Sequence, residues 1–145
     1  MANQEQKILI VDDEVTIRRL LRLKLSKQGY HCEEAGNSDE ALDKMRTFSA
    51  DLIMLDLKMP GKSGMDLLPE LKAKYPATAV VMATAVAEAD LAIQCIRLGA
   101  DDYITKPFNL NDVITNVEKT LDKKMLELRI KEYQEQLKKR WNGRH

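Results

Sequence analysis

The chain has 145 residues, 44% of them hydrophobic, which suits one compact domain with a buried core and leaves room only for an appendage. Lys plus Arg and Asp plus Glu each total 23, so no global charge excess is available to hold nucleic acid or an acidic membrane, and no apolar run approaches the ~20 residues of a membrane-spanning helix. Cys32 and Cys95 stand apart, outside any metal-type spacing, and read as reduced core residues of a soluble, cytoplasmic protein.

In chain order, KILIVD (7–12) is a nearly continuous apolar strand ending in Asp12 and Asp13. Ile17, Leu20, Leu21 and Leu25 then recur at helical spacing until Gly29 stops them. HCEEA (31–35) is polar enough to be an edge strand. A second helix is predicted from about residue 38, where Asn37 and Glu40 have the spacing of a capping box and Ala41, Leu42, Met45 and Phe48 form the apolar stripe. DLIMLD (51–56) is a third strand, and the helix from about Met65 contains Pro69, which must fall in its first turn or kink it. TAVVMA (78–83) is followed by a helix with Leu91, Ala92, Cys95 and Ile96 on one face and Gly99 at its end. DDYIT (101–105) completes five β-α units, for which a doubly wound parallel α/β sheet is the leading architecture.

Polar residues collect at the strand ends: Asp12 and Asp13 after the first, Asp56 on the third, Thr84 on the fourth, Lys106 with Pro107 on the fifth. In an open parallel sheet these ends converge on one crevice, so residues far apart in sequence become neighbours. Each residue alone has an ordinary reading. An Asp at a strand end serves as a helix N-cap, a Lys-Pro pair marks a turn, and Thr84 is either an N-cap or a strand-end hydroxyl. Together they form a pattern. Clustered carboxylates call for a compensating cation, and few carboxylates with a carbonyl and waters suit Mg²⁺. Asp56 is then a candidate nucleophile for a phosphoryl group, with Lys106 contacting one of its oxygens and Thr84 donating to another.

These residues resemble the receiver domain of two-component response regulators in ILIVDDE (8–14), LIMLDLKMPGKSG (52–64), VVMATA (80–85) and GADDYITKPF (99–108), with coverage from about Lys7 to Lys119. The resemblance implies a flavodoxin-like (βα)₅ fold with strand order 2-1-3-4-5. It implies Asp56 as the phosphorylated residue, Asp12 and Asp13 as the acidic pair holding Mg²⁺, and Lys58 as donor of a backbone carbonyl to the metal. It further implies Thr84 and Lys106 as switch and phosphate contacts, and Tyr103 as the switch aromatic; a Tyr that simply packs is the plainer alternative for the last. The phosphoryl donor would be the phosphohistidine of a sensor histidine kinase or phosphotransfer protein. The fourth helix, fifth strand and fifth helix would form the surface that responds. Beyond self-phosphorylation and self-dephosphorylation no enzyme activity is implied. Lys58 and Val86 stand two residues after Asp56 and Thr84, and neither can readily orient an attacking water, so self-hydrolysis is expected to be slow.

From Asn109 to Trp141 the chain has neither Gly nor Pro, and a single long helix is predicted. The domain is expected to occupy residues 1–121, with residues 122–145 a helical extension. Leu126, Ile130, Tyr133 and Leu137 alternate spacings of four and three, a coiled-coil seam of about two heptads. From Glu118 to His145 nine Lys or Arg face five Asp or Glu. The extension reads as a solvated linker helix, a dimerising helix or, least of the three, a nucleic-acid contact; the chain is also compatible with the front piece of a longer regulator. Two other functional classes compete with a phosphorylation switch: an Mg²⁺-dependent phosphatase or phosphotransferase with an Asp nucleophile, and a structural dimerisation module with an unused site. An enzyme of that kind usually carries a second acid two residues after the nucleophile and a cap over its substrate. Lys58 holds that position, and no residues are spare for a cap.

Overall fold

The computed structural model describes residues 6–143. Strands and helices alternate throughout. β1 (Lys7–Val11) leads to α1 (Val15–Lys27), β2 (His31–Ala35) to α2 (Ser38–Phe48), and β3 (Leu52–Asp56) to α3 (Gly64–Lys74). β4 (Ala79–Ala85) passes through a 3₁₀ turn at Val86–Glu88 into α4 (Ala89–Arg97), and β5 (Asp102–Lys106) into α5 (Leu110–Asn142). The five strands are all parallel, in the order β2-β1-β3-β4-β5. This is the doubly wound, flavodoxin-like receiver architecture, with a long C-terminal helix.

The alternation of side chains along each strand divides the core in two. Leu9, Val11, Ile53, Leu55, Val80 and Met82 pack with Met45, Phe48, Leu67, Leu68, Leu71 and Cys95, beneath α2, α3 and α4. Ile8, Ile10, Leu52, Met54 and Val81 pack with Leu21, Leu25, Val113, Val117 and Leu121, beneath α1 and α5. Both faces of the central strands are thereby covered, which is why β1, β3 and β4 run nearly continuously apolar up to the polar residues at their ends. β2 is an edge strand, and Glu34 on it binds Arg18 and Arg22 of α1 at 2.9 and 3.0 Å. Both cysteines are free and buried, and burial pushes their thiols up from the ordinary range.

Several local expectations need correction. Leu20 in α1 is 50% exposed, because the inward stripe is Ile17, Leu21 and Leu25 at intervals of four and Leu20 lies beside it. Ile96 in α4 is likewise 39% exposed, while Ala92 and Cys95 face the sheet. Pro69 lies beyond the first turn of α3, inside the helix, where its missing N–H deprives the carbonyl of Met65 of the usual donor. At the start of α2, Asn37 accepts the N–H of Glu40 at 2.9 Å, but the Glu40 carboxylate reaches back to Gly36 N–H at 2.9 Å, one residue earlier than in a capping box.

α5 is one helix of 33 residues, about 50 Å long at 1.5 Å per residue. Its packing against the domain continues past Leu121. Lys124 approaches Asp101 at 3.6 Å, and Met125 sulfur accepts from Gln6 at 3.4 Å. Asp101 is itself anchored, accepting Val80 N–H at 2.8 Å and pairing with Lys72 at 3.4 Å. The acid ties β4, α3 and α5 together at the sheet end away from the strand C-termini. Farther on, Leu126, Ile130, Tyr133 and Leu137 are 44–62% exposed. None of the helices, among the described residues, is long and apolar enough to cross a membrane. A chain cut after Leu121 is expected to melt a few degrees below one cut after Leu128, because only the longer keeps the Lys124 and Met125 contacts; circular dichroism on both chains measures this.

Candidate functional site

Parallel strands end on the same edge of the sheet, and the register sets how they meet there. Asp56, the last residue of β3, pairs with Ala83, and Lys106, the last of β5, pairs with Ala85. Asp12 follows β1 and extends its ladder by donating its N–H to Ala35 at 3.1 Å. The Lys106 ammonium therefore reaches Asp12 Oδ2 at 3.0 Å and Asp56 Oδ1 at 3.3 Å, bridging two chain segments. Asp12 and Asp56 are 2% and 7% exposed, whereas Asp13 faces solvent. Oxygens from Asp12, Asp13 and Asp56 all lie within 4.8 Å of one another.

One ammonium does not balance three carboxylates at that distance. Burial, and after it the charge of Asp12, push the Asp56 carboxyl up from 3.8 to about 7, with Lys106 opposing and a contact from Asp13 adding to the rise. Burial alone would lower Lys106, but Asp12 and Asp56 outweigh it and hold the ammonium above its usual value. The oxygen donors suit a hard divalent cation in size and chemistry, and the excess negative charge gives such an ion a reason to bind. Thr84 supplies a further sign. Its hydroxyl is buried, with the residue 1% exposed, and has no hydrogen-bond partner among the described residues. An unpaired buried hydroxyl costs ~1–3 kcal/mol, so its position at the pocket calls for an explanation. The β4 strand runs through Thr84, which settles that residue as a strand-end hydroxyl.

The remaining expected residues sit around this centre. Tyr103 lies on β5, three residues before Lys106 at the strand end and paired with Met82 of β4, and is 37% exposed. Lys58 follows Asp56 in the loop before α3, and its ammonium pairs with Glu88 at 2.9 Å. Gly64 opens α3 against the Asp56 main chain: a Cβ there would lie 2.0 Å from the Asp56 carbonyl oxygen, so only glycine lets the loop close this tightly. Two participants were not foreseen. Arg18 donates to the main-chain carbonyl of Asp12 at 2.7 Å while its Nε holds Glu34 at 2.9 Å, and Glu88 meets Lys58. The only signals for them in the chain are a basic residue one turn into the helix after Asp12 and opposite charges on the loops following Asp56 and Thr84.

Fold and pocket define the class: an α/β module whose carboxyl edge gathers acidic residues around a lysine. Residues 8–118 match the family model described as the response regulator receiver domain. The chain belongs to that family. It is 44% identical over 117 residues to the transcriptional regulatory protein ResD of Bacillus subtilis, covering 81% of this chain and 48% of ResD. It is 32% identical over 139 residues to the regulatory protein AtoC of Escherichia coli, covering 96% of this chain and 30% of AtoC. Among solved structures, the receiver domain of NtrX from Brucella abortus superposes with a TM-score of 0.77 at 37% identity, over 79% of this chain and 98% of that one. The chain thus spans about half the length of ResD and less of AtoC.

The raised Asp56 carboxyl has a consequence for stability without metal. Between pH 3.8 and about 7 the folded protein holds a proton there that the unfolded chain has released, so this group's contribution falls as pH rises through that window. Asp56→Asn removes the effect. In urea unfolding of metal-free protein, the stability gain of Asp56→Asn over the parent is expected to be larger at pH 8 than at pH 5.

Proposed function

We propose that the domain is a phosphorylation-controlled switch in which Asp56 accepts a phosphoryl group from the phosphohistidine of a histidine kinase or phosphotransfer protein, in the cytoplasm. The observation that carries this reading is the position of Asp56: a buried carboxylate at the end of a core strand, bound to Lys106 and next to a strand whose Thr84 hydroxyl lacks a partner. An Asp56 oxygen attacks phosphorus, the P–N bond to histidine breaks as the P–O bond forms, and the histidine nitrogen keeps the electron pair. Asp56 must be ionised for the attack, and Lys106 favours that state. Asp12, Asp13 and Asp56, with the main-chain carbonyl of Lys58, would hold Mg²⁺, which when bound supplies positive charge for the carboxylates and the phosphoryl oxygens.

After transfer, Lys106 contacts one phosphoryl oxygen and Thr84 donates to another, which satisfies its hydroxyl. Tyr103 then turns inward, and the surface of α4, β5 and α5 shifts between two packings. Residues 1–121 are the receiver unit and 122–145 a helical extension of it; residues 1–5, 144 and 145 lie outside the described residues. The exposed seam of Leu126, Ile130, Tyr133 and Leu137 supports pairing of two chains along α5. The transcriptional relatives support an attached effector in the natural protein.

The parent chain is expected to take up phosphoryl groups from acetyl phosphate in Mg²⁺, and Asp56→Asn to take up none, by intact-mass measurement. Thr84→Ala should be labelled yet show no spectral change at Tyr103. With Lys58 and Val86 beside the acyl phosphate, loss of label should take minutes or longer; loss within seconds, unaltered by replacing Val86, would count against this account. Sedimentation of the intact chain and of one cut after Leu121, each with and without beryllofluoride, tests the output. A mass that never changes rules out switching by dimerisation.

A further inference from the structure

Two charged side chains meet beside the pocket, and the reading above makes no use of their charges. Lys58 extends its ammonium from the loop after Asp56 to Glu88, four residues after Thr84, at 2.9 Å. The lysine is 70% exposed and the glutamate 16%. Glu88 Oε1 accepts Ala85 N–H at 3.4 Å, and Oε2, the atom facing Lys58, is closed off from solvent and makes no hydrogen bond of regular geometry among the described residues. The pair therefore fastens the loop that follows Asp56 to the 3₁₀ turn that continues the strand of Thr84. Lys58 chiefly, with Ala85 N–H and the more distant Lys106, holds the Glu88 carboxyl below the usual range, against burial. A fixed negative charge thus lies in the field of Lys106, the cation assigned to the phosphoryl group.

A phosphoryl group on Asp56 brings close to two negative charges and strong acceptor oxygens. It repels Glu88 and competes for both lysines. Lys58 is suited to change partners, since its long side chain is flexible, is mostly solvated and is held at its end by the Glu88 pair. Glu88 is suited to leave, since it rides on the turn directly after Thr84.

We infer that Lys58 and Glu88 form an exchangeable ion pair across the mouth of the pocket. With Asp56 free, the pair holds the segment after β4 in its unphosphorylated arrangement. With Asp56 phosphorylated, the Lys58 ammonium passes to the phosphoryl oxygens and Glu88 moves out with its turn. Glu88 is then a positioning residue that opposes the switched state, and Lys58 acts through its charge as well as its carbonyl. The inference rests on Asp56 being the phosphoacceptor.

Beryllofluoride with Mg²⁺, titrated into the full chain and followed by fluorine NMR, tests both levels separately. Glu88→Gln should bind it about five-fold more tightly or better, Lys58→Met should bind it more weakly, and the gain from Glu88→Gln should shrink when Lys58 is Met. Lys58→Met keeps the main-chain carbonyl and removes only the ammonium. In the metal-free, unphosphorylated Glu88→Gln chain, the amide resonances of residues 86–89 should move part of the way to their positions in the beryllofluoride-bound parent. Unchanged or weaker binding by Glu88→Gln overturns the inference, as does an equal gain in both backgrounds, which would mean simple repulsion without exchange. If the parent fails to bind beryllofluoride, or Asp56→Asn binds it equally well, the phosphoacceptor reading itself falls and the ion-pair inference with it.

Discussion

The pocket is organised by a charge imbalance: three carboxylates converge at one sheet edge around a single lysine. Parallel pairing makes this unavoidable once each strand ends in a polar residue, because the strand ends share one side. The imbalance cannot relax by moving apart, since Asp12 and Asp56 continue strands buried on both faces. It can relax only by binding protons or a cation, or by covalent change at a carboxylate. The apolar core is what holds the carboxylates together.

Around that edge, each contact restrains one main-chain element. Arg18 grips the Asp12 carbonyl and is held in turn by Glu34, so the acidic pair is tied to α1 and the edge strand β2. Gly64 brings α3 against Asp56 without intervening atoms, and Gly64 N–H donates to the Leu57 carbonyl at 2.9 Å. The Thr84 side differs. Beyond β4 the chain makes only a 3₁₀ turn, with Val86 68% exposed, before the short α4. The segment that directly follows the unsatisfied hydroxyl is thus exposed at Val86 and Ala87, although β4 itself is buried.

The fold was legible because the pattern of the chain and its topology carry the same information. Apolar runs that end in charged residues mark β1, β3 and β5, and the continuous apolarity of β1, β3 and β4 marks them as central. The metal-type carboxylates, Lys106 and Thr84 could be placed together because strand ends in a parallel sheet have a known meeting place. Arg18 and Glu88 could not. Their positions depend on the direction of a long side chain leaving a helix or a turn, which periodicity does not encode. The same gap explains Leu20 and Ile96: spacing counts apolar residues, but whether a residue at the margin of the stripe is covered depends on the width of the neighbouring element. Nor does a helix free of Gly and Pro say where its packing stops, and contacts at Lys124 and Met125 run past Leu121.

That last feature links the pocket to the far end of the molecule. α5 begins just after Lys106, whose ammonium lies in the acidic pocket, and passes down the sheet to Asp101 at the opposite end. Asp101 binds β4 at Val80, four residues before Thr84 on the same strand. A shift of β4 or β5 at the pocket therefore meets the helix at both ends of the sheet, not at one. A rigid helix held at two points transmits rotation along its axis better than one hinged at a single point. The seam of Leu126, Ile130, Tyr133 and Leu137 starts immediately beyond the second hold. The helix that carries it is thus anchored through Asp101, the same residue that holds β4 at Val80.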